Sequence, residues 1–266
     1  MNNACFAVPV HTAKFHYARN LLESYNRFFN DDHIFLIFSN KHEADSFYIN
    51  NKDLRFNSVV CTVNDLTDNI ITIKKYFGVD YIFKNTNFIN VGVIDCDSVF
   101  IKSLPYDILF KTYVDNKKIY TNLASRPTAR LIMTESLKFF NSEVLQNTIL
   151  QENTCAYFWF NDIPIYHKPW FFNFKEFLNY EEKKREFNHY NFDYIVYGLY
   201  LAMTDKIKLE FINTNFVADY SFIEEQLSMS PDIFANVFRE IKPMWIKHCI
   251  DEHDMVNVFM NLHIDR

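Results

Sequence analysis

Residues 88–100 read F-I-N-V-G-V-I-D-C-D-S-V-F. The first seven, Phe88 to Ile94, carry no charge and no apolar/polar alternation, which is how a strand buried on both faces reads. Such strands belong to largely parallel sheets covered by helices. The run ends directly in Asp95-Cys96-Asp97, so the acidic pair is expected at the carboxyl end of a strand, where ligands gather in open α/β sheets. Extended backbone would send the two carboxylates to opposite faces, whereas a turn can aim both at one cation. Hard oxygen ligands suit Mg²⁺ or Mn²⁺; zinc would want a Cys or His pair nearby, and only Cys96 stands between the acids.

Upstream of this stretch, strand and helix signals alternate. Residues 4–10 (A-C-F-A-V-P-V) read as a strand, and Ala13 to Phe29 as a helix with Phe15, Ala18, Leu21, Leu22, Tyr25 and Phe28 at helical spacing. His33 to Phe38 is a second apolar strand, a polar helix starts near Lys41, Ser58 to Val63 is a third strand, and Ile70 to Phe77 is an amphipathic helix. This alternation predicts a mostly parallel sheet. Beyond Pro105 the pattern is more mixed. Lys118–Leu123, Cys155–Phe160 and Ile207–Ile212 read as strands, while Ser142–Gln151, Phe174–Phe187 and Phe192–Met203 read as helices. A helical tail is expected from Phe222, interrupted at Pro231 and Pro243. With no internal repeat and no linker, the reading is a single α/β domain over 1–266, with a ligand-binding half (1–110) and a second half (111–266) that ends in the helical tail.

Composition narrows the chemistry. The chain has only 3 glycines, and Gly78, Gly92 and Gly198 lie too far apart to form a glycine-rich phosphate cradle. The formal net charge of -6 argues against a surface that tracks a nucleic-acid backbone, so a phosphate-bearing ligand would need a metal. The 5 cysteines are scattered without C-x-x-C spacing, which predicts reduced thiols and a cytoplasmic compartment. No apolar run reaches the roughly 18 residues needed to span a bilayer. Membrane contact is expected to be peripheral at most, through tail residues such as Phe234, Trp245 and Ile250.

Taken together, F-A-V-P-V-H-T (6–12), L-L-E-S-Y (21–25), I-F-L-I-F-S-N (34–40), K-K-Y-F-G (74–78) and V-I-D-C-D-S-V-F (93–100) resemble the GT-A glycosyltransferases over most of residues 1–110. The resemblance implies a Rossmann-like sheet, a nucleotide-sugar donor with UDP-sugars favoured, and Mn²⁺ or Mg²⁺ as cofactor. It also implies that Val8, Pro9 and Val10 line the nucleotide pocket, that Asp95 lies near the ribose and the metal, and that Asp97 ligates the metal. Lys75 either reaches the donor or is a solvated helix lysine. Two further segments, I-Y-H-K-P-W-F-F-N (165–173) and F-D-Y-I-V-Y-G-L-Y-L (192–201), are similar to acceptor-side segments of bacterial polysaccharide-type members, which implies a glycan or lipid-linked glycan acceptor and a role in surface polysaccharide synthesis. By that likeness Asp193 is the catalytic base, although an Asp in a first helical turn also serves the helix macrodipole. Trp170 is read either as a platform for a sugar face or as core. His167 and His248 compete as third metal ligand.

Two other readings stay open at this level. D-C-D-S-V also fits the D-x-D-x-[TV] pattern of haloacid-dehalogenase-like phosphatases, in which the first Asp is a nucleophile and Asp251, Glu252 and Asp254 would be the later acids. That motif ordinarily follows the first strand of its domain, whereas here some ninety residues precede it. A catalytically inactive sugar-binding homologue is the non-enzymatic alternative.

Overall fold

The computed structural model describes residues 3–61, 70–96, 98–100, 114, 117–125, 127–157, 164–211, 241–242 and 259–262. The strands are β1 (Ala4–Pro9), β2 (Ile34–Phe38), β3 (Asn57–Val60), β4 (Asn90–Val93), β5 (Ser98–Phe100), β6 (Lys118–Ala124), β7 (Cys155–Tyr157), β8 (Ile165–His167), β9 (Lys208–Phe211), β10 (Ile241–Lys242) and β11 (Phe259–Leu262). The α-helices are α1 (Phe15–Phe28), α2 (Lys41–Asn50), α3 (Ile70–Asn85), α4 (Pro127–Leu137), α5 (Glu143–Ile149), α6 (Lys168–Leu178), α7 (Tyr180–Lys183) and α8 (Asp193–Met203).

The central sheet has the order β3-β2-β1-β4-β8. Its first four strands are parallel and β8 closes the edge antiparallel to β4. The chain steps from β1 outward to β3 and then returns past β1 to β4. Right-handed crossovers therefore place α3 on the face opposite α1 and α2. Neighbouring residues of β2 show the two layers: Phe38 meets Phe15 of α1 and Phe47 of α2, with ring centroids 6.3 and 5.7 Å away, while Ile37 meets Gly78 of α3. The reversal between β1 and β4 is a topological switch point, the place where such sheets open a crevice at their carboxyl ends.

Gly78 lets α3 approach the sheet. A Cβ built there would sit 2.7 Å from Ile37 Cγ1 and closer still to its Cδ1, and Ile37 is fully buried. Gly78→Ala is expected to cost about 1–3 kcal/mol, the usual penalty of overpacking, read as a lowered denaturation midpoint. Alanine's helix propensity alone would predict a gain instead.

Two smaller sheets complete the second half: β7-β6-β9, and β10-β11-β5. An aromatic cluster joins the halves. The Tyr76 ring lies within 5.3–6.0 Å of Tyr166, Phe171, Phe174, Tyr180 and Phe187, and Tyr197 of α8 packs 4.7 Å from Tyr166. Every residue of α8 from Asp193 to Leu201 is buried, so this helix runs through the core and not along the surface.

The architecture is the expected α/β one, with differences in detail. Helix α3 continues to Asn85, past the Phe77 end that the sequence pattern suggests, with Gly78 inside it where the helix meets Ile37. Helix α6 starts at Lys168, not Phe174, with Pro169 in the first turn where a missing N–H costs nothing. Helix α4 has no counterpart among the expected elements. The expected helical tail lies mostly outside the described residues, and where it is described it is strand: β11 pairs antiparallel with β5, Asn261 opposite Ser98 and Phe259 opposite Phe100. A free edge beside β5 offers backbone partners that helical periodicity alone does not reveal.

Candidate active site

At the carboxyl edge of the parallel sheet the strands end in register. Val10 N–H donates to Ile37 C=O at 2.9 Å, Cys61 N–H to Phe38 C=O at 2.8 Å, and Ile94 N–H to Ala7 C=O at 3.0 Å. Asp95 follows immediately, and Ser98 N–H donates back to its carbonyl at 3.0 Å, the i→i+3 bond of a turn. Asp95 thus opens a turn at the switch point, as its sequence context requires. Its side chain is 40% exposed, so its carboxylate is open to a ligand. Asp97 lies outside the described residues, as does His248.

Lys75 projects from the second turn of α3 and its ammonium sits 3.1 Å from Asp95 Oδ1, with the lysine side chain largely buried. It is therefore not the solvated helix lysine of one reading. The same charge acts on Asp193, the first residue of α8, only 2% exposed. Tyr166 donates its hydroxyl to Asp193 Oδ2 at 2.6 Å, and Tyr76 donates to the Asp193 carbonyl at 2.6 Å. Burial raises the Asp193 carboxyl above its ordinary range; the nearby Lys75 cation and the Tyr166 hydroxyl pull it back down, and Asp95 pushes it up. Three residues singled out from sequence, Lys75, Asp95 and Asp193, are brought within one electrostatic cluster. Tyr166 and Tyr76 join them without having been singled out. Their only sequence signal is membership of aromatic-rich stretches, and most residues of those stretches are core.

The other expectations fall differently. Val8 and Val10 are fully buried and Pro9 is buried with them, so this strand end presents a ligand with the turn that follows it more than with these side chains. His167 is corrected as a metal ligand. It pairs with Asn90 at the amino end of β4, its Nδ1 2.8 Å from Asn90 Oδ1, five residues and about 16 Å of strand from Asp95. Trp170 packs against His167, ring centroids 4.8 Å apart, which fits the core reading of this residue and not the sugar-platform one. Among the described residues no group of three His, Cys, Asp or Glu side chains is placed to hold a metal ion. Among them, too, no helix is long and apolar enough to cross a membrane.

No protein-family model matches the chain, and no curated protein matches it. Among solved structures it is similar to core-mannan synthase A from Aspergillus fumigatus in its Mn/GDP form, with 13% identity, a TM-score of 0.47, and coverage of 79% of this chain and 73% of that one. It is also similar to the mannosyltransferase Ktr4p from S. cerevisiae, at 14% identity and a TM-score of 0.45, covering 78% of this chain and 68% of that one. Mouse xyloside xylosyltransferase 1 is similar at 11% identity and a TM-score of 0.41, covering 79% of this chain and 85% of that one.

Proposed function

We propose that the chain is a metal-assisted glycosyltransferase that moves a sugar from a nucleoside-diphosphate donor, a UDP-sugar in the favoured case, to a glycan acceptor. The observation that carries this reading is the Lys75–Asp95 ion pair, electrostatically coupled to the buried Asp193, at the carboxyl edge and switch point of a parallel sheet. An exposed carboxylate on a turn supplies hard oxygen for Mn²⁺ or Mg²⁺, and Asp97 two residues on would supply the second. His248 is the third ligand of the proposal, on the strength of the sequence resemblance. The ion, when bound, neutralises charge that builds on the departing diphosphate.

In the reaction, the bond between the anomeric carbon and the diphosphate oxygen breaks, the acceptor oxygen bonds to that carbon, and the acceptor proton passes to a base. Asp193 is the base of the resemblance. Its burial favours a second role, holding Lys75 so that the cation faces the donor. Asp193→Asn separates the two. The amide oxygen can still accept from Tyr166 and a buried charge is removed, so the variant is expected to melt no lower than the parent near neutral pH. As base, Asp193 would lose turnover on the order of 100-fold with donor affinity spared; as holder of Lys75, donor affinity would fall as well.

The phosphatase alternative loses ground on topology, because Asp95 follows the fourth parallel strand and not the first. Mass-spectrometric detection of nucleoside diphosphate released from a panel of nucleotide-sugars with Mn²⁺ tests the proposal. Release from one donor, enhanced by a saccharide acceptor, supports it; an inert panel with hydrolysis of a simple phosphate ester would overturn it. Binding without release would identify an inactive homologue. A cytoplasmic site of action is proposed from the scattered cysteines, peripheral membrane contact from the apolar residues of the tail, and a surface-glycan product from the sequence resemblance alone.

A further inference from the structure

Lys74 is the neighbour of Lys75, about 100° further round the same helix, and it points at different strands. Its ammonium donates to the Val10 carbonyl at the end of β1 and to Ser39 Oγ, 2.8 Å away, at the end of β2. Glu43 completes the tie: it accepts from Thr12 Oγ1 at 2.8 Å and from Ser39 N–H at 2.9 Å. The turn after β1 is thereby fastened to the turn after β2. His11 adds an internal brace, its Nδ1 accepting from Ala13 N–H at 3.2 Å. His11, Thr12, Ala13 and Ser39 are exposed, whereas Lys74 beneath them is 4% exposed.

Burying an ammonium is costly, and an apolar side chain of the same length would pack there more cheaply. Burial pulls the Lys74 pKa below its ordinary value, against the opposing pull of Glu43, Cys61 and Cys96. Sequences break packing rules of this kind mainly where function requires it. We propose that Lys74 is the positioning residue of the donor site, its ammonium fixing the exposed His11–Ala13 turn against which the donor's nucleoside end rests. This inference builds on the transferase reading and divides the lysine pair: Lys75 serves Asp95 and the diphosphate end, Lys74 the nucleoside end.

The test uses Lys74→Met and Ser39→Ala in the full chain, with calorimetric binding of nucleoside diphosphate plus Mn²⁺, steady-state kinetics and thermal melts. Lys74→Met is expected to weaken nucleoside-diphosphate binding and raise donor KM on the order of tenfold, with kcat changed by no more than about twofold. Acceptor KM and the melting temperature stay at parental values, and Ser39→Ala moves donor KM in the same direction by less. A folded Lys74→Met variant with parental donor affinity overturns the inference, as does a loss shared equally by acceptor KM. If Lys74→Met does not fold, parental donor KM in Ser39→Ala overturns it. A parent that binds the nucleoside diphosphates while both variants bind equally well sinks this inference alone; a parent that binds none sinks the transferase reading and this with it.

Discussion

Asp95→Asn leaves the protein folded and lowers Mn²⁺-dependent nucleoside-diphosphate affinity on the order of 100-fold or more. The fold does not depend on this carboxylate. It stands 40% exposed on a turn whose defining bond comes from backbone, Ser98 N–H to Asp95 C=O. Solvent reaches the Asp95 end of its pair with Lys75 and screens it, so the melting temperature should move by only a few degrees. Donor binding has no such reserve, because the protein carries net negative charge and no glycine-rich cradle to offset a diphosphate. Calorimetry with Mn²⁺ and then with chelator checks it: the variant should match the chelated parent.

Lys75→Met is expected to damage both activity and pH tolerance. Removing the cation takes away the charge that pairs with Asp95 and offsets the buried Asp193, and kcat/KM should fall about 100- to 1,000-fold. The pH effect has a definite sign. Burial raises the Asp193 carboxyl above the ordinary aspartate range, so the folded protein binds this proton more tightly than the unfolded chain does. Its stabilising contribution is full below the unfolded pKa and is lost as pH rises through the folded one. Without Lys75 the folded pKa climbs further and the loss extends to higher pH. Melting temperatures measured from about pH 4 to 7 should therefore decline more for Lys75→Met than for the parent. The decline should vanish in the double variant with Asp193→Asn, whose amide does not titrate. Parallel curves for all three proteins would remove Lys75 from the cluster.

Much of this arrangement is legible in the sequence because it depends on local pattern. The uncharged runs within residues 4–10, 34–38 and 88–94 have the character of buried strands, and an acidic turn directly after the last of them puts Asp95 at the carboxyl edge. Lys75 and Asp193 are reached only through family likeness, since a lysine or an aspartate in a helix has ordinary uses; the structure supplies what sequence lacks, the packing of α3 against the start of α8, where Tyr76 donates to the Asp193 carbonyl. What is not legible is long-range. His167 looks available as a ligand until the antiparallel register of β8 puts it beside Asn90, and no local signal encodes that register. Lys74 is hidden by its neighbour, because two adjacent lysines on a helix read as one solvated patch until their directions are known. The strand at Phe259–Leu262 is hidden because its partner, β5, lies some 160 residues upstream.

The central claim is that Asp95, with Asp97, holds a cation against a nucleoside diphosphate. Calorimetric titration of the parent with UDP, GDP, ADP, CDP and dTDP, in Mn²⁺ and again after chelation, addresses it directly. Saturable binding of one of these is expected, abolished by chelator and absent in Asp95→Asn and Asp97→Asn. Binding that survives chelation and both substitutions would contradict the claim.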